Sequence, residues 1–91
     1  MYQVKKSLKF QQQLATLYQT YPRLADLDNA IAWSLNRNPR AMGFRVSDDI
    51  FVWVTAQLPT KPVPKVKIAY RIREENNEVL LISIAVYVDQ P

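Results

Sequence analysis

Apolar and polar residues change their spacing several times along the chain, and each change marks an element. "YQVKK" reads as a short strand over Tyr2 to Lys6, with Ser7 following where a helix N-cap belongs. Phe10, Leu14, Leu17, Tyr18 and Tyr21 then recur at helical spacing between glutamines and lysine, which predicts an amphipathic helix. Pro22 ends it. A second helical pattern, Leu24, Leu27, Ala30, Ile31, Ser34 and Leu35, closes at "NRNP", where Pro39 disfavours helix in the residue before it. Two helices joined this closely predict an antiparallel hairpin.

The period then shortens. Arg40 to Asp49 reads as a polar connection holding Gly43, the only glycine, and "IFVWVTA" predicts a strand over Ile50 to Ala56 because β-branched and aromatic residues dominate it. The three prolines of "QLPTKPVPK" exclude helix and central strand and predict a stiff, wide connection. Lys65 to Glu74 and Val79 to Val88 form a hairpin around "EENNE", whose asparagines tolerate the left-handed conformation of tight turns. In the first of these strands Val66, Ile68, Tyr70 and Ile72 point one way and Lys65, Lys67, Arg71 and Arg73 the other, since side chains alternate along a strand. The last strand is apolar on both faces, with Leu80, Ile82, Ile84, Val86 and Val88 opposite Val79, Leu81, Ala85 and Tyr87, so it is expected inside the sheet. The order β-α-α-β-β-β predicts an α+β fold, a helical hairpin on one face of a largely antiparallel sheet.

Composition narrows the chemistry. A chain of 91 residues, 48% hydrophobic, suits a single domain over residues 1–91. Cysteine is absent, which excludes disulfides, thiolate nucleophiles and thiolate-bound metal and fits a reducing compartment. Histidine is absent too, and with it the usual general acid/base and the commonest zinc ligand. One glycine builds neither a phosphate-cradling loop nor a dinucleotide fingerprint, so no cofactor and no metal are expected. The start, "MYQVKKSLKFQQQ", lacks the apolar run of a secretory signal, and no stretch approaches the roughly 20 apolar residues of a membrane helix. A cytoplasmic protein without membrane contact is expected.

The net charge of +4 is unevenly placed. Up to Val46, seven Lys/Arg face two acids, a balance of +5; from Ser47 onward, five face six, a balance of −1. Such a basic half attracts nucleic acid or an acidic partner segment.

"VKKSLKFQQQLATL", "YP" between the helices, "NP" after the second, "VKIAYRI" and "NEVLLISIAVY" together resemble the RelE/ParE superfamily of toxins from bacterial type II toxin–antitoxin modules. The resemblance spans nearly the whole chain. It implies the same α+β fold and a cognate antitoxin, expected to be acidic because its partner is basic. Members that cleave messenger RNA on the ribosome carry basic and acid/base side chains on the concave sheet face and at the end of the last strand. The resemblance places Lys67 where such members commonly have a functional arginine, and it makes Lys67, Arg71 and Tyr87 the candidate catalytic set, with Lys65 and Arg73 as candidate target or nucleic-acid contacts. Val52 and Val54 stand where those enzymes carry lysines, and Tyr87, Val88 and Asp89 where they carry Arg, His or a further Tyr.

No general base is evident for attack through a 2′-hydroxyl. The pattern therefore leans toward the ParE-like branch that poisons DNA gyrase, or a divergent non-ribonuclease. The alternatives are a ribosome-dependent, metal-independent endoribonuclease and a degenerate module that only docks a partner or nucleic acid. Tyr18, Tyr21 and Trp33 on the helical hairpin are the candidate partner-binding aromatics.

Overall fold

A computed structural model describes residues 1–55 and 64–87. Its elements are β1 (Gln3–Lys6), α1 (Leu8–Thr20), α2 (Leu24–Arg37), α3 (Pro39–Met42), β2 (Phe44–Arg45), β3 (Ile50–Val54), β4 (Val66–Arg73) and β5 (Glu78–Val86), with one turn of 3₁₀ helix at Glu74–Asn76 before β5. The five strands form one sheet in the order β1-β5-β4-β3-β2. Neighbours pair antiparallel except β1, which runs parallel to β5. The last strand thus lies inside the sheet, as its two apolar faces predict. Residues 56–63, which hold most of the proline-rich connection, and residues 88–91 lie outside the described residues.

Local chemistry sets the element ends. Ser7 caps α1 by accepting the Phe10 N–H at 3.0 Å, and Pro39 occupies the first turn of α3, where its missing donor costs nothing. The 74–76 turn closes on Asn77, whose φ of 48° lies in the left-handed region that asparagine tolerates. The expected polar connection over Arg40 to Asp49 is more ordered than its composition suggests. It contains most of α3 and all of β2, whose Phe44 and Arg45 pair with Val52 and Phe51.

The core fills the space between the helices and one sheet face. Phe10 and Leu14 from α1, with Leu24, Ile31 and Leu35 from α2, pack on Phe51, Val66, Ile68, Tyr70, Ile72, Val79, Leu81 and Ile84. α2 runs antiparallel to β1: the Tyr2 N–H bonds the Asn36 carbonyl at 2.8 Å, and four residues on, Lys6 Nζ meets Asp28 Oδ2 at 2.6 Å. Arg40 and the Tyr2 hydroxyl both bind Glu74, joining the residue before β1, α3 and the 74–76 turn. The Arg40 guanidinium, then the Tyr2 hydroxyl, holds the Glu74 carboxyl below the usual carboxylate range.

The alternation expected along the last strand breaks in the middle. Tyr70 pairs with Leu81 while Ala69 pairs with Ser83, so Ile82 is an extra residue, a β-bulge. Core-facing positions are therefore Val79 and Leu81 before the bulge and Ile84 and Val86 after it, and Leu80 and Ile82 do not share a face with Ile84 and Val86. The expected division of that strand is corrected accordingly. Hydrophobic patterning missed the bulge because every residue around it except Ser83 is aliphatic.

Candidate functional site

The helices cover one face of the sheet, and the other face carries the candidate site. Register places its side chains in cross-strand rows. Phe44, Val52, Ala69 and Ser83 form one row, and Ile50, Arg71, Leu80 and Lys5 a second. Val54, Lys67 and Ala85 form a third, and Arg73, Glu78 and Gln3 a fourth. Small residues at Ala69, Ser83 and Ala85 make a low floor, and the cations of β4 rise beside it.

The expected cations do share this face, yet they do not converge. Lys67 and Arg71 are four residues apart on a strand, about 13 Å, with Ala69 between them. Lys65 and Tyr87 occupy the Lys67 end. The Tyr87 N–H bonds the Lys65 carbonyl at 2.9 Å, and Lys65 Nζ stands 5.6 Å from the Tyr87 ring centre. The half-exposed Tyr87 ring thus meets a cation through its face. Lys67 is exposed, and among the described residues it has no ion-pair partner.

At the opposite end the cations are matched by acids. Arg71 Nε lies 3.2 Å from Asp49 Oδ2 but makes no aligned hydrogen bond. Glu78 is only 8% exposed and sits between Lys5 at 3.3 Å and Arg73 at 3.8 Å. Both carboxylates therefore serve as counter-ions. Asp49, Glu78, Lys5 and Phe44 were not singled out from sequence. Alternation places Lys5 outward, but the pairing that brings Asp49 to Arg71 joins residues 22 positions apart and leaves no local signal.

The aromatic candidates separate. Tyr18 and Tyr21 are half-buried and pack against the core, whereas Trp33 is 60% exposed on α2. Burial raises the Tyr18 hydroxyl above its ordinary value. Among the described residues no cluster of three metal-ligating side chains occurs, and no helix is long and apolar enough to cross a membrane.

No family model and no curated relative matches the sequence. Solved structures do match. A chain of the RelBE2 toxin–antitoxin complex of Mycobacterium tuberculosis aligns with a TM-score of 0.75 at 19% identity, covering 94% of this chain and 98% of that one. A chain of the intact Escherichia coli RelBE toxin–antitoxin complex gives 0.63 at 15% identity, over 98% and 100%. The isolated E. coli RelE toxin gives 0.64 at 15% identity, over 99% and 88%. Identities this low speak for shared architecture, and over almost the full length of both chains that architecture, helices on one face of a five-stranded mixed sheet, is the RelE-type toxin fold.

Proposed function

We propose that this chain is the toxin subunit of a type II toxin–antitoxin pair, a cytoplasmic growth inhibitor neutralised by a cognate acidic antitoxin. Its likeness to chains solved within toxin–antitoxin complexes supports the toxin reading and the existence of an antitoxin. The target is held on the outer sheet face by Lys67 and Arg71, flanked by Lys65 and Arg73, and inhibition proceeds by binding rather than RNA cleavage, in the manner of ParE-like members that act on DNA gyrase.

One observation carries the non-ribonuclease reading. The cations form a column about 27 Å long from Lys65 to Arg73, and the two acids beside it are engaged as counter-ions. Cleavage through a 2′-hydroxyl needs base, acid and cations gathered around one phosphate. A column suits an extended anionic surface better. The antitoxin is drawn to the basic half of the chain and lies along the rim of the hairpin formed by Tyr18 and Tyr21.

A second reading, ribosome-dependent cleavage of messenger RNA, is favoured by the shared location of Lys65, Lys67 and Tyr87 at one end of the column. Induction in cells, with and without the adjacent reading frame, separates the two. Growth arrest relieved by the neighbour, altered plasmid supercoiling and no new ends in primer extension on ribosome-bound message are expected. Codon-linked cuts that vanish in Tyr87→Phe would establish the ribonuclease reading instead, and absence of any arrest would overturn the toxin assignment.

A further inference from the structure

We propose that the exposed stripe of α2 is a self-association surface on which a second copy of this chain docks antiparallel about a two-fold axis. Asp26, Ala30, Trp33 and Arg37 recur at intervals of four, three and four, so they lie on one narrow stripe of the helix. All four are exposed, opposite the core residues Leu24, Ile31 and Leu35. Trp33 has the largest exposed aromatic ring among the described residues; the Arg37 guanidinium lies over it, and it is not among the residues that pack against the core.

The stripe is complementary to itself. An isologous contact requires that if residue i meets residue j of the copy, then j meets i. Setting two such helices antiparallel about the midpoint between Ala30 and Trp33 brings Trp33 against Ala30 of the copy, twice, and Asp26 against Arg37 of the copy, twice. Large meets small in the middle and opposite charges meet at both ends. A small residue opposite the ring also permits the 8–10 Å helix separation of close packing. Arg37 is already arranged for this role. Its guanidinium carbon lies 4.2 Å from the Trp33 ring centre and Nη1 donates to the Trp33 carbonyl at 3.3 Å, so the two side chains present one preformed surface.

The contact is modest in extent. α2 has 14 residues and is about 21 Å long, so one helix face falls short of the roughly 800 Å² per partner of a standard stable interface. Association is therefore expected with a dissociation constant on the order of 10⁻⁴ M. The local concentration is raised wherever a partner holds two copies together.

Sedimentation equilibrium of the full chain between micromolar and millimolar concentrations tests the idea, with the two indole N–H resonances followed in parallel. Reversible dimerisation is expected, with the Trp33 resonance moving with concentration and that of Trp53, which packs against the core, staying fixed. Trp33→Ala should weaken association at least tenfold without lowering the thermal midpoint by more than a few degrees, since the side chain is exposed. Asp26→Arg alone and Arg37→Asp alone should each weaken it about tenfold, and the two together should recover association to within about fivefold of the parent. A monomer at all concentrations with an unmoving Trp33 resonance overturns the proposal. So does a dimer indifferent to Trp33→Ala, or a charge swap that fails to rescue. A Trp33 resonance that moves only on adding an acidic amphipathic Glu/Leu peptide assigns the face to a heterologous partner and also overturns it.

Discussion

Gly43 stands where the chain has no room for a side chain. A Cβ there would lie 2.5 Å from the Val52 carbonyl oxygen and 2.7 Å from the Tyr70 hydroxyl, and its φ of −124° is open to any residue. Space, not backbone conformation, demands glycine. The nearest atom belongs to the backbone of β3 and cannot swing aside, so Gly43→Ala is expected to cost about 1–3 kcal/mol by overpacking, read as a lower denaturant midpoint at unchanged m-value. The neighbour that makes the site tight is Tyr70, which is fully buried, stacks on Phe51 at 5.7 Å and donates its hydroxyl proton to the Pro39 carbonyl at 2.6 Å.

Burial pushes the Tyr70 hydroxyl up to about 12, while the Gly43 N–H facing it pulls weakly the other way. The folded value lies above the unfolded value of about 10, so the folded state favours the neutral phenol. That contribution is complete below about pH 10 and is lost as pH rises through about 12. Thermal melts across this window should show wild-type stability falling more steeply than that of Tyr70→Phe. The variant itself should lose about 1–2 kcal/mol at neutral pH, because the Pro39 carbonyl keeps its burial and loses its donor. Equal slopes would show that Tyr70 is not the titrating group.

At the level of elements, β1 ends at Lys6 while β5 runs on to Val86, so α1 takes over the exposed side of β5. Ser7 Oγ donates to the Ile82 carbonyl at 2.9 Å, and Gln13 Oε1 accepts the Ile84 N–H at 2.9 Å. Ser7 thus caps α1 and fastens the bulge with one hydroxyl. Ser7→Ala should cost about 1–2 kcal/mol for the cap alone, and more if the Ile82 carbonyl stays dry. Amide exchange at Phe10 and at Ile84 should rise together. Faster exchange at Phe10 only would separate cap from bulge.

These junctions show where sequence reading reaches and where it stops. The cap, both helices, the outward cations of β4 and the interior place of β5 were legible because each rests on residues within one or two turns or on strict alternation. The pairing of Phe44 with Val52, the parallel docking of β1 and the bulge at Ile82 were not, since each is fixed by contacts across the sheet. The site divides in the same way. The Lys65 to Arg73 column follows from alternation, whereas the acids that neutralise half of it arrive from Asp49 and Glu78 through tertiary pairing.

For the molecule as a whole, that division predicts which charges matter. Lys67 is uncommitted among the described residues, and Arg71 is held by a carboxylate it meets without an aligned hydrogen bond. On the proposed function, an anionic target must displace Asp49 to use Arg71. Removing that competitor should strengthen the site: Asp49→Asn keeps the backbone carbonyl that accepts the Ile72 N–H at 3.0 Å, so the fold is spared while Arg71 is released. With heparin as the anionic probe, Asp49→Asn should elute at higher salt than wild type, and Lys67→Ala combined with Arg71→Ala at lower salt. The double variant should keep its thermal midpoint within a few degrees and, on the proposed toxin role, lose growth arrest on induction. Asp26→Asn makes the same change in net charge on α2, away from the outer face, and separates local from global effects. Long-range attraction fades within about 8 Å at physiological salt, so Asp26→Asn should shift elution much less than Asp49→Asn. Equal shifts would mean that the anion senses total charge alone, and growth arrest surviving in the double variant would remove the β4 column from the toxic mechanism.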